Sequence, residues 1–261
     1  QAGDVRGFAS GAGGSSTVVS LLAEGKCKEA TRFSEENFRD FSRPNIDTAL
    51  RQAIYQHHQA LLVAGNNPPA CMSEFGLTLA SRIGRWKPGE PWLITIEAEF
   101  LDIAGRYEEA KAVYEKAFHS MPWASGIANN LAYMMSRKKD ALETANKYVS
   151  RALKEEPWGS KYYLDTLGWI RYQQGEYESA LGFVKQSLLR NPFNGKNDLS
   201  EALYHMGMTH LALDQKQEAA KYFELASIQS PWESFGILAR GELIRLGIDP
   251  YHREPVISEL P

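Results

Sequence analysis

The stretch GEYESALGFVKQSLLRNP, residues 175–192, decides how the rest of the chain is read. Within it Gly175, Ala180, Ser187 and Pro192 stand five, seven and five residues apart. GRYEEAKAVYEKAFHSMP at 105–122 repeats those steps with Gly105, Ala110, Ala117 and Pro122. Two further copies keep the later steps, with Ala145, Ala152 and Pro157 and then Ala219, Ala226 and Pro231. The anchor alanines at 110, 145, 180 and 219 are separated by 35, 35 and 39 residues. The surplus in the last interval is placed in the polar NPFNGKND at 191–198, because a loop absorbs insertions at small entropic cost. Upstream, Gly25 to Ala30 and Gly65 to Ala70 reproduce the five-residue step and extend the series as two degenerate copies.

A period near 34 residues belongs to helix–turn–helix arrays, in which each pair exposes an apolar stripe that only its neighbours can bury. Small residues sit where helix backbones approach closely, Tyr107, Tyr114, Tyr177 and Phe223 fill the space beside them, and the prolines stop the second helix of each pair. These residues resemble the tetratricopeptide repeat, whose pattern runs from a Leu-Gly or Leu-Ala pair through Gly-x-Tyr to Ala, an aromatic, Ala and Pro. Leu131–Ala132, Leu167–Gly168 and Met206–Gly207 match the opening pair, and Ala98 with Leu101 opens the first clear copy. NNLAYMMS from Asn129 and YLDTLGWIRYQQGEYESAL from Tyr163 are most similar to bacterial repeats.

The resemblance implies an all-α fold, a right-handed superhelix of antiparallel helix pairs. It divides the chain into a flexible glycine-rich leader at 1–16, degenerate helical units at 17–90 and an array of about four repeats at 91–231. WESFGILARGELIRLGI after Pro231 suits a capping helix at 232–247, followed by an extended tail at 248–261.

In this family the first helix of each pair lines a concave groove. Carried onto this register, the partner-binding candidates are Glu99, Asn129, Tyr133, Asp165, Trp169, Tyr172, Tyr204 and Met208, with Asp102 and Tyr162 beside them. Such aromatics supply large contact area with polar tips at low entropic cost. Packing against the next repeat is the competing account of each ring. A variant of the family grips chaperone C-terminal carboxylates with lysines, asparagines and an arginine. Asn130 fits one such position, but Thr95, Glu99, Tyr162 and Thr166 stand where that clamp needs Lys, Asn, Lys and Arg, so no clamp is expected.

Composition narrows the function further. Lys plus Arg is 29 against 32 Asp plus Glu, a net charge of −3 with both signs scattered, which speaks against a nucleic-acid footprint. No apolar run approaches the length a spanning helix needs. Cys27 and Cys71 are read either as two buried thiols or as one disulfide, which would imply an oxidising compartment. The six histidines form no H-E-x-x-H, and His205 and His210 lie five apart, about 140° around a helix, so no metal site is expected. Paired acids such as Glu108 with Glu109 read as solvated helix ends.

The reading is a non-catalytic scaffold or adaptor for a protein or peptide partner, with no cofactor. It would work in a larger bacterial assembly, in the periplasm or cell envelope before the cytoplasm, and self-association stays open. A self-assembling structural subunit is the alternative, and an all-helical hydrolase a lesser one.

Overall fold

The computed structural model describes residues 12–37, 54, 58, 67–86, 91–139, 141–190, 193, 195–231 and 234–250. Twelve α-helices run through them. These are α1 (Ala12–Ala23), α2 (Cys27–Asn37), α3 (Ala70–Trp86), α4 (Pro91–Ile103), α5 (Tyr107–Ser120), α6 (Ser125–Lys138) and α7 (Leu142–Glu155). After a short 3₁₀ turn at Pro157–Gly159 come α8 (Ser160–Gln173), α9 (Tyr177–Leu189), α10 (Lys196–Ala212), α11 (Lys216–Gln229) and α12 (Ser234–Arg245). No strand occurs among the described residues. The chain divides into two compact units, residues 1–113 and 114–261.

In the first unit, Val18, Leu22, Ala30, Met72, Leu79, Ile96 and Phe100 form a common buried cluster. Helix α1 begins at Ala12, inside the stretch read as a glycine-rich leader. Val18, Val19 and Leu22 anchor it in the core and the helix runs back from them; residues 1–11 lie outside the described residues. Gly76 on α3 faces the Phe100 ring of α4 so closely that no Cβ fits between them. The two cysteines are joined: Cys27 opens α2, Cys71 lies in the first turn of α3, and their Cα atoms are 6.0 Å apart. The free-thiol reading is therefore replaced by a cross-link.

Ala30 is fully buried at its anchor position, whereas Ala70 is exposed at the start of α3. The Gly65–Ala70 step does not place a packing alanine, because Ala70 opens its helix before any neighbour covers it. Gly65 itself lies outside the described residues.

In the second unit, α6 packs on α7, α8 on α9 and α10 on α11, each pair stacks on the next, and α12 closes the array against α10 and α11. The register explains the contacts. Ala145, Ala152, Ala180, Ser187, Ala219 and Ala226 are buried without exposed surface. Gly168 and Gly207 sit where α9 Val184 and α11 Phe223 come within about one Cβ of the backbone.

One turn recurs between paired helices. Gly175 takes φ 82°, its N–H bonds the Tyr172 carbonyl at 3.0 Å, and the Glu176 N–H bonds the Arg171 carbonyl at 2.9 Å. Asp214 (φ 57°) makes the same turn before α11. Lys139 (φ 55°) ends α6 in the left-handed region without a glycine. The capping helix was read at 232–247 and is seen over Ser234–Arg245. Residues 251–261 of the tail lie outside the described residues, as do Asn191, Pro192 and Asn194 in the 191–198 insertion.

Candidate partner-binding groove

Helices α6, α8 and α10 are the first members of three successive pairs, and the groove positions recur on them at one-turn intervals. Asn129 and Tyr133 stand four apart on α6, Asp165, Trp169 and Tyr172 are spaced four and three on α8, and Glu201, His205 and Met208 follow on α10. Residues at these spacings share a helix face. The side chains of Tyr133, Asp165, Trp169, Tyr172, Glu201 and His205 meet.

His205 is the centre of that meeting. It is 1% exposed, and its Nδ1 lies 3.0 and 3.1 Å from the two carboxylate oxygens of Asp165. An ionised carboxylate only accepts, so Nδ1 carries the proton and donates it. Trp169 stacks on the imidazole with centroids 4.2 Å apart and planes 18° apart. Tyr172 also stacks on that indole, with centroids 4.7 Å apart and planes 4° apart. The Tyr133 ring lies 6.2 Å from His205, and the Tyr133 hydroxyl hydrogen-bonds Glu201. One ligand-type atom from each of Asp165, Glu201 and His205 lies within 4.8 Å of the others.

The electrostatics follow from burial. Desolvation pushes the Glu201 carboxyl up to about 7; His205 pulls it down, but the Asp165 and Asp198 charges add to the rise. Burial opposes a charge on His205, yet the Asp165 carboxylate and its hydrogen bond, with Glu201, outweigh it, and the imidazole is held above its ordinary value. Burial also raises Asp198, against the Tyr162 hydroxyl and Lys161.

A pH dependence results. A group whose folded pKa is raised stabilises the fold below its unfolded value and loses that contribution as pH rises through the folded one. For Glu201 the window runs from 4.5 to about 7; His205 and Asp198 act with the same sign. The second unit should therefore lose stability between pH 5 and pH 8. Glu201→Gln, which keeps an acceptor for Tyr133, should reduce that slope and be more stable at pH 8 by on the order of 2 kcal/mol. Urea unfolding followed by circular dichroism at both pH values checks this; an unchanged slope in Glu201→Gln refutes it.

The other sequence candidates fall elsewhere. Tyr204 is 8% exposed and packs on Phe223 and on Phe235 of the closing helix, each at 5.8 Å between centroids. It departs from the groove expectation because the array ends there and α12 covers it. Met208 is half-buried beside the same core cluster, and Asn129 is buried at 9% exposure. Glu99, half-buried, and Asp102, buried, lie on α4 in the first unit. His210 stacks on Tyr222 and pairs with Gln215, so it does not join His205. His57 lies outside the described residues.

Sequence reasoning missed Glu201, and it weighed His205 only against His210 and not with Asp165. Glu201 stands 39 residues after Tyr162, the same interval that separates Ala180 from Ala219, so the register held the signal.

The comparisons with known proteins agree with this architecture. The tetratricopeptide-repeat family model matches residues 200–227. The photosystem I assembly protein Ycf3 of Acaryochloris marina is 36% identical over 83 residues, covering 29% of this chain and 47% of that protein. This chain thus matches about half the length of that relative. In fold, it is similar to the human IFIT1 dimer with PPP-AAAA, with a TM-score of 0.58 at 14% identity, over 85% of this chain and 56% of that one. A monomeric IFIT1 mutant with Gppp-AAAA gives a TM-score of 0.59 at 14% identity, over 85% and 55%. With the buried alanine register and the paired helices already described, these matches show tetratricopeptide-type repeats within an all-helical repeat fold.

Proposed function

We propose that the chain is a non-catalytic adaptor whose face formed by α6, α8 and α10 holds an extended segment or helix of another protein. The observation that carries this reading is the convergence of the half-buried rings of Tyr133, Trp169 and Tyr172, from two repeats, about His205. Rigid aromatics of this kind are the usual anchors of protein recognition. The name of the Ycf3 relative supports a role in assembling a larger complex. The Cys27–Cys71 bridge supports an oxidising setting such as the periplasm or cell envelope.

The test compares wild type with the Tyr133→Ala/Trp169→Ala variant in affinity capture from source-cell extract. Tyr204 is left intact because it belongs to the core. The variant should keep a helical circular dichroism spectrum and lose its principal partner by at least about tenfold. Capture of the same proteins by both forms would place binding elsewhere. If neither form captures a protein and the mass rises with concentration in sedimentation, the structural-subunit alternative takes over.

A further inference from the structure

The proline that closes each repeat is followed in sequence by an aromatic residue: Pro122–Trp123, Pro157–Trp158, Pro192–Phe193 and Pro231–Trp232, at intervals of 35, 35 and 39. The core does not use the first two of these rings. Trp123 is 71% exposed, and Trp158, carried on the 3₁₀ turn Pro157–Gly159, is 90% exposed. Leu189 and Ile228, each more than half exposed, stand three residues before their repeat prolines, at the ends of α9 and α11. Among the described residues five large apolar side chains are exposed in this way, and four of them lie within three residues of a repeat proline. These turns join one antiparallel helix pair to the next, so their tips share one edge of the second unit.

Charge singles out the middle of that edge. The stretches 150–161 and 185–196 carry Arg151, Lys154, Lys161, Lys185, Arg190 and Lys196 against Glu155 and Glu156, a net charge of +4 in a chain of net −3. Both acids are engaged, Glu155 by Arg151 at 2.7 Å and Glu156 by the Tyr163 hydroxyl at 2.9 Å. The matching stretches 115–126 and 224–235 hold Glu115 with Lys116 and Glu224 with Glu233, so the basic patch stops at the two middle turns. Trp158 and Leu189 are the exposed apolar groups within it, and Lys161 Nζ lies 5.7 Å from the Phe193 ring centroid beside them.

The anchor of a protein interface works inside a packed pocket whose rim excludes water. An indole that projects from a turn among lysines and arginines suits the headgroup layer of a bilayer, where the ring enters and the cationic tips stay at the phosphates. The positive sign selects anionic lipid.

We propose that this edge, centred on Trp158 and Leu189, docks the protein on the surface of a bilayer containing anionic lipid, with Lys154, Lys161 and Arg190 against the phosphates. The edge is made of helix ends and turns, whereas the groove is a face of α6, α8 and α10, so the inference does not depend on the groove reading.

The test is co-sedimentation of the full chain with vesicles of phosphatidylcholine, alone or mixed with phosphatidylglycerol. Wild type should bind the mixed vesicles at least about tenfold more tightly than the neutral ones, and added sodium chloride should weaken that binding. Trp158→Ala/Leu189→Ala should keep a helical circular dichroism spectrum and lose at least about tenfold in binding to the mixed vesicles. Mixed vesicles with brominated acyl chains should quench the tryptophan fluorescence of wild type, and quench Trp158→Phe less. Wild type that binds neither vesicle, or binds both equally, overturns the inference, as does a double variant that binds like wild type. If wild type ignores vesicles and its mass rises with concentration in sedimentation, while the double variant stays monomeric, the edge belongs to a second copy of the chain instead.

Discussion

Reduction of the Cys27–Cys71 bridge, or its removal by Cys27→Ser/Cys71→Ser, is expected to destabilise the first unit by about 4 kcal/mol. The two cysteines are 44 residues apart in sequence, and closing a loop of that length removes much of the freedom of the unfolded chain. The bond also fixes the N-terminal turn of α2 to the first turn of α3, next to the cluster of Leu22, Ala30 and Met72. The Arg32–Glu36 and Lys26–Glu24 ion pairs nearby are exposed and local, so they contribute little beside it. Hydrogen–deuterium exchange with and without reductant reads the effect directly. Protection should fall in peptides from 17–36 and 70–81; protection unchanged after complete reduction would contradict it.

The second large effect is expected from Gly168→Leu. A Cβ at this position would lie 2.6 Å from Val184 Cγ2, 3.2 Å from the Val184 nitrogen and 3.3 Å from the Ala180 carbonyl oxygen. Two of those three atoms are backbone, and both residues are fully buried, so α8 and α9 would have to separate. Overpacking of this kind costs about 3 kcal/mol or more when backbone must move. Gly182→Ala on the same helix pair is the internal control. Nothing lies within 4 Å of a Cβ there, and the helix gains propensity, so that variant should be neutral or more stable by roughly 0.5 kcal/mol. Urea midpoints for the two variants should move in opposite directions, and a Gly168→Leu midpoint equal to wild type would refute the packing argument.

The repeat frame was legible because its signal is steric and local. An alanine at a close helix crossing has few substitutes, so Ala110, Ala145, Ala180 and Ala219 recur at near-constant intervals and all prove fully buried. Ala70 looked the same in sequence and failed, since spacing says nothing of whether a neighbouring helix covers the site. Tyr133, Trp169 and Tyr172 stand out in sequence as aromatic residues at first-helix positions, and the structure brings their rings together around His205. Glu201 was passed over because a lone acid on a helix ordinarily faces solvent, and the Asp165–His205 bond spans 40 residues, beyond any local pattern. Tyr204 occupies a groove position by count, but only the packing of Phe235 reveals that the closing helix lies over it.

The stacking order of the second unit also bears on how it folds. Because each helix packs mainly on its neighbours in sequence, a nucleus can form in any pair and spread outward, with the chain ends of the array fraying first. The imidazole–carboxylate tie between α8 and α10 bridges two pairs and can close only after both have docked. The Asp165–His205 bond is therefore a late product of assembly, and its presence distinguishes a completed array from a partly zipped one.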